Sequence, residues 1–227
     1  MLNLLEKYVI IVAGGNGTRM NSDVPKQFIE LQGKPILMHT LQKFADSIPD
    51  INIVLVLSAA YNELWEMLCQ KHKFNNHYRL TEGGATRFHS VKNGLLLVPE
   101  NCVVGIHDAA RPLVNNQTIL NAFKTAAIKG NASPAISLNE SVREVTNGAN
   151  KAVERTNYLL VQTPQCFQSD LIKKAFSQEY HPSFTDDASV LEAIGEKINL
   201  IDGNRENIKI TTPQDLVIAQ ALISFIS

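Results

Sequence analysis

Four consecutive β-branched residues, Val9, Ile10, Ile11 and Val12, are followed at once by Ala13, Gly14, Gly15 and, one residue on, Gly17. So short an apolar run, ended by glycine, is the pattern of a strand buried on both faces, which requires helices above and below it. Small residues after such a strand bring backbone N–H groups close to an anion, because no Cβ stands between them. Arg19 and Lys26 put two cations within a loop's reach, and Pro25 stiffens the approach of Lys26. The stretch reads as a loop for a polyphosphate.

Two common phosphate-binding patterns do not fit it. No Gly-Lys-Ser/Thr occurs, so the chain has no P-loop. In Gly15-Asn16-Gly17-Thr18-Arg19-Met20, Met20 stands where a dinucleotide fingerprint needs its third glycine. The second strand, Ile53 to Leu57, ends in Ser58 rather than the acid that would hold a ribose. Both departures argue against a nicotinamide-dependent oxidoreductase.

Beyond the loop, strands and helices alternate. Helical spacing predicts helices over Pro35–Ala45, Glu63–Lys71, Arg87–Leu97 and Asn115–Ala127, between strands at Ile53–Leu57, Tyr78–Thr81 and Val103–Ile106. Such alternation builds βαβ units, so the expected fold is α/β: a three-layer, Rossmann-like, mostly parallel sheet with helices on both faces. The regular order breaks near Ala135. Ser141 to Glu154 then centres on Asn147-Gly148, a hairpin signal in a segment too polar for core. The 137–157 stretch is therefore expected to protrude as a β-hairpin arm, either simply solvated or packed on a second subunit. After it come a strand at Tyr158–Val161, helices over Gln168–Ser177 and Ala188–Ile194 (capped by Thr185 or Asp186), and short strands at Ile198–Ile201 and Ile208–Ile210. A closing helix covers Pro213–Phe225. Residues 1–227 read as one domain, without repeats or linkers.

Composition narrows the function. A formal net charge of −1 gives no basic field for nucleic acid or an anionic membrane, so any anion site must be built from local Lys and Arg. Cys69, Cys102 and Cys166 are odd in number and widely spaced, which points to a reducing cytoplasm rather than disulfides or structural zinc. Met1 to Tyr8 is too short and polar for a signal peptide, and no apolar run reaches spanning length. Arg19, Lys26, Arg87, Arg111, Arg155 and Lys209 all fall in predicted loops or at strand ends, where an α/β sheet gathers its functional groups. Asp108 closes a buried strand. It could hold Mg²⁺ or another divalent cation against phosphates, or it could pair with Arg111 or cap a helix.

Taken together, AGGNGTRM, PKQ, EGGATRFHSV, HDAARP, TPQCF, TDDAS and NIKIT resemble the 2-C-methyl-D-erythritol 4-phosphate cytidylyltransferase family of sugar-phosphate nucleotidyltransferases. The likeness covers nearly the whole chain. It implies transfer of a cytidylyl group from CTP to a polyol phosphate in a single nucleotidyltransferase domain. By that likeness Ala13, Gly14, Gly15 and Gly17 would hold the nucleotide phosphates, and Gly84, Ala85 and Ser90 would read the cytosine. Arg111 would sit by the phosphates and Asp108 would meet Mg²⁺. Arg19 and Lys26 would stabilise the transition state. Arg155 and Lys209 would position the acceptor, with hydroxyls from Thr163 and Thr185. The arm would cross to a partner in a homodimer, so that Ser141 and Arg155 serve the neighbour's site.

Two positions depart from the family pattern: Glu140-Ser141 replaces the usual Asp-Thr, and Ala85 stands where an acid is common. Ribitol 5-phosphate cytidylyltransferase is the nearest alternative, sharing the first motif, PKQ and TPQ. Ala110 and the 185–189 motif favour the methylerythritol enzyme. A silent nucleotide-binding module is a third reading, opposed by the retention of Arg19, Lys26, Arg155 and Lys209 together.

Overall fold

The computed structural model of the chain describes residues 5–14 and 24–226. The expected α/β architecture is what forms. In chain order it runs β1 (Lys7–Val12), β2 (Glu30–Leu31), β3 (Lys34–Pro35), α1 (Ile36–Ser47), β4 (Asn52–Leu57), α2 (Asn62–Lys71), β5 (Arg79–Glu82), α3 (Arg87–Leu95), β6 (Val103–Asp108) and α4 (Asn116–Lys129). There follow β7 (Asn131–Ser137), β8 (Arg143–Thr146), β9 (Ala149–Ala152), β10 (Leu159–Val161), β11 (Gln165–Gln168), α5 (Ser169–Phe176), α6 (Asp187–Glu192), β12 (Leu200–Asp202) and α7 (Pro213–Ile226). The main sheet has the order β10-β7-β11-β6-β1-β4-β5, with β12 added parallel to β7. Strands β4, β5 and β6 run parallel within the β1-centred half. Strands β10 and β11 run antiparallel to their neighbours.

The alternation of side chains along β1 explains the layers. Val9, Ile11 and Ala13 join one core with Leu41, Phe44 and Phe123 from α1 and α4. Tyr8 and Ile10 join the other with Val91 and Leu95 of α3 and Ile172 of α5. Val9, Ile10 and Ile11 are wholly buried. Burying a side chain of this size contributes about 2 kcal/mol, so the central strand is held from both sides. In β6, Gly105 leaves room for a helix: a Cβ there would lie 3.0 Å from Phe123 and 3.2 Å from the Cys166 sulfur.

Three sequence expectations need correction. Ile208–Ile210 is not a strand; it lies along the loop after β6, where the Ile210 N–H meets the Ala110 carbonyl at 2.9 Å. Strands β7 and β11 were not expected, since NASPAIS and QCFQ are built from small and polar residues. Pro35 caps α1 rather than opening it. The hairpin forms as expected: among the described residues β8 and β9 pair only with each other, and Asn147 and Gly148 both have positive φ, the geometry of a type I′ turn.

Candidate active site

Strands β1 and β6 pair in register, with Val12 opposite Asp108, so their carboxyl ends finish side by side. A cavity of about 310 Å³ opens at that rim, and the side chains of Lys26, Arg87, Asp108 and Lys209 all line it. Asp108 closes β6, Arg87 opens α3, and Lys26 and Lys209 come from a short turn and a loop that fold over the same rim.

One side of the cavity is built around glycine. Gly84 donates its N–H to Ser90 Oγ at 3.0 Å. A Cβ on Gly84 would sit 2.4 Å from that of His89, a distance only glycine avoids, and one on Gly14 would lie 3.3 Å from Ser90 Oγ. The loop therefore packs backbone to backbone against the end of β1, with the Gly84 N–H already given to Ser90. Thr86 caps α3 by accepting the His89 N–H, which fixes Arg87 as the first helical residue. Across the mouth, Lys26 opens a short 3-10 turn. The buried Gln27 amide donates to the Ala13 carbonyl at 2.9 Å and ties that turn to β1.

Asp108 is the electrostatic centre. Lys209 Nζ lies 2.8 Å from its Oδ2, Arg87 Nε 3.3 Å from Oδ1 and Arg111 Nε 3.5 Å from Oδ2. Burial alone would raise its pKa, but Arg87, Lys209 and Arg111 outweigh that and hold the carboxyl far below the usual range. The pair with Arg111 foreseen as an alternative to metal binding does form, as the longest of three. Arg87 also sends Nη1 and Nη2 to the two oxygens of Asp187, at 2.8 and 2.7 Å, and Asp187 is wholly buried.

Beneath Asp108 a directed chain of hydrogen bonds fixes the backbone. The Asp108 N–H donates to Thr163 Oγ1 at 3.1 Å, and Thr163 lies 3.1 Å from His107 Nδ1. His107 Nε2 lies 3.0 Å from the Arg111 carbonyl, which can only accept, so the ring proton is on Nε2 and Thr163 donates to Nδ1. Burial pulls the His107 pKa down to about 4, and the ring is neutral at pH 7. Lys209 is placed by buried amides: Asn207 donates to the Thr163 carbonyl at 2.8 Å and accepts Arg111 Nη1 on its own carbonyl at 2.8 Å. Gln162 holds the Asn204 carbonyl at 2.9 Å.

Of the residues singled out from sequence, Ala13, Gly14, Lys26, Gly84, Ala85, Ser90, Asp108 and Lys209 come together around the cavity. Arg111 reaches it through Asp108. Gly15, Gly17 and Arg19 lie outside the described residues. Thr163 is buried behind Asp108, and Thr185 is exposed just before α6. Ser141 and Arg155 are exposed at the base of the arm and do not line the cavity; Arg155 Nη1 donates to the Asn139 carbonyl. Sequence reasoning assigned no role to Asp187 or Gln27. The signal for Asp187 was two adjacent acids in TDDAS, where a helix cap uses only one: Asp186 makes a capping box with Ser189, and Asp187 faces inward.

A family profile described as 2-C-methyl-D-erythritol 4-phosphate cytidylyltransferase (IspD) matches residues 7–224. The chain belongs to this family. A Bacteroides fragilis protein of that name is 50% identical over 214 residues, covering 94% of this chain and 98% of that one. A namesake from Azobacteroides pseudotrichonymphae is 51% identical over 221 residues, covering 96% and 99%. Among solved structures, the Francisella tularensis family member superposes with a TM-score of 0.79 at 34% identity, covering 95% of this chain and 99% of that one. The family's fold, a mostly parallel α/β sheet, is the one described above.

Proposed function

We propose that this chain joins CTP and 2-C-methyl-D-erythritol 4-phosphate to give 4-diphosphocytidyl-2-C-methyl-D-erythritol and pyrophosphate. The observation that carries the reading is the meeting of Lys26, Arg87, Asp108 and Lys209 in one cavity, in a chain of this family. An oxygen of the acceptor phosphate attacks the α-phosphorus of CTP. The bond from that phosphorus to the α–β bridging oxygen breaks, and its electron pair leaves with pyrophosphate.

The second pKa of a phosphomonoester is about 6, so the nucleophile is already ionised at neutral pH and needs no general base. That suits a site in which His107, behind Asp108, is neutral and hydrogen-bonded at both ring nitrogens. The obstacle is repulsion: two unit charges 4 Å apart cost about 4 kcal/mol at an effective dielectric of 20, and several such pairs meet during the transfer. Lys26 and Lys209 offset it, with Arg19 expected to assist from the neighbouring loop, and stabilise charge gathering on the transferring group. Lys209 and Arg111 hold the acceptor and nucleotide sides respectively. Gly84 and Ala85 would present carbonyls to the cytosine amino group, and Ser90 fixes their loop.

Asp108 suits a hard divalent cation. Its carboxylate is ionised and on the cavity wall, and Mg²⁺ takes its other ligands from phosphates and water. Both Asp108 oxygens are paired, with Lys209, Arg87 and Arg111, so the ion would have to displace one of them. When bound, the ion would neutralise phosphate charge. Among the described residues no three metal-ligating side chains assemble, in keeping with a cation carried in by the nucleotide.

The arm supports a homodimer. A lone two-stranded ribbon is marginal unless something packs on it. Val145 on the arm is 70% exposed, and Tyr158, Leu159, Leu160 and Val161 beyond its base are each exposed as well. Ser141 and Arg155 would then complete the neighbour's site, with Thr185 beside the acceptor and Thr163 acting from beneath Asp108. No helix among the described residues is long and apolar enough to cross a membrane.

Pyrophosphate release from CTP, measured with methylerythritol 4-phosphate and ribitol 5-phosphate in parallel, tests the assignment. Turnover with the first is expected; turnover confined to the second would replace it. For Arg155→Ala, the loss in acceptor use should exceed the loss in CTP binding, and equal losses would remove Arg155 from the acceptor.

A further inference from the structure

Asp187 is an acid beside the cavity to which the transfer gives no task. Its side chain has no exposure, and both its oxygens are taken by the two terminal nitrogens of Arg87. A buried carboxylate is costly unless paired, so this pair could be a strut between α3 and α6 and nothing more. Two features go beyond a strut. Arg87 keeps its Nε on Asp108 at 3.3 Å, so the same guanidinium touches the centre of the cavity. Asp187 is itself held rigidly. Gln165 of β11 accepts the Ala188 N–H at 2.8 Å and donates to Asp186 at 2.7 Å, which locks the first turn of α6.

A guanidinium presents its donors in a planar fork that matches one carboxylate through two parallel bonds. Two carboxylates compete here for the fork of Arg87. Asp187 has it, and Asp108 receives only the remaining Nε. Asp108 is thereby left with an oxygen for Lys209, which sits closer to it than either arginine, at 2.8 Å. We propose that Asp187 is a positioning residue for the transfer: by occupying the fork of Arg87 it stops that arginine from capturing Asp108, and so keeps Asp108 and Lys209 in register at the cavity wall. The inference rests on the functional reading above, in which Asp108 and Lys209 both serve the transfer.

The two accounts diverge in a pair of variants. Asp187→Asn keeps the shape but offers the fork one neutral oxygen. Arg87 then turns its terminal nitrogens to Asp108 and displaces Lys209. In steady-state assays with CTP and methylerythritol phosphate, kcat is expected to fall about 30-fold, with KM for CTP changed less than about threefold. Adding Arg87→Met to Asp187→Asn removes the captor and leaves a neutral pair in the buried space. About tenfold of the lost kcat should return. A strut predicts the opposite order, the double variant being at least as slow as the single one.

Thermal melting and equilibrium CTP binding, read without turnover, accompany each assay. If Asp187→Asn does not fold, Arg87→Lys serves instead. Its single ammonium keeps the charge but cannot span both carboxylates, and it should lower kcat at unchanged CTP affinity. A double variant no faster than Asp187→Asn, a single variant with wild-type kcat, or a loss confined to CTP binding each overturns the proposal. Absence of pyrophosphate release by the wild type would instead refute the functional reading beneath it.

Discussion

Two ion pairs of almost equal length sit in opposite surroundings. Arg87 and Asp187 meet at 2.7 Å beside the cavity, with Asp187 wholly buried. Lys151 and Glu144 meet at 2.8 Å across the two strands of the arm, with side chains 73% and 49% exposed. Distance alone would rank them together. In the first, the wholly buried Asp187 cannot return to water if Arg87 is lost; in the second both charges are already hydrated and screened. The rim of the sheet is thus a place where each charge depends on its neighbours, and the arm a place where charges are independent.

Substitutions can break or sharpen that contrast. The largest stability effect is expected for Arg87→Ala, which strands Asp187: a loss of about 3–5 kcal/mol in urea unfolding. A loss under about 1 kcal/mol would mean that Asp187 finds another partner or water. Lys26→Ala should slow turnover about 100- to 1,000-fold while CTP still binds in calorimetry, since a cation serving the transition state adds little to ground-state affinity. An unchanged rate would remove Lys26 from its role. Thr163→Val breaks the chain from the Asp108 N–H to His107 and leaves a buried donor unpaired, for about 1–3 kcal/mol of stability. Glu144→Ala should change stability by no more than about 0.5 kcal/mol. A larger effect there would show that the pair is covered, as a subunit contact on the arm would cause.

The same contrast explains what could be read from sequence. The parallel half was legible because β1, β4 and β6 are buried on both faces and written in β-branched residues. The arm was legible because Asn147-Gly148 supplies the positive φ angles its turn needs. Strands β7 and β11 were not. Pro134 sits inside β7, where a missing N–H usually rules out a strand, yet its carbonyl accepts the Gln162 N–H at 2.8 Å and pairing with β12 completes the ladder. At the site, Lys26, Asp108 and Lys209 were legible as polar residues placed where a parallel sheet ends. Asp187 was not, because its value lies in a contact with a residue 100 positions away, which no local pattern encodes.

Gly105 gives the rim an unforeseen point of vulnerability. It lies three residues before Asp108 in β6, and a Cβ there would crowd both Phe123 and Cys166 at 3.0–3.2 Å. A side chain introduced there requires Phe123 or Cys166 to give by a few tenths of an ångström, or the strand that carries Asp108 to shift. A screen for inactive mutants should therefore return hits at position 105, although Gly105 does not line the cavity.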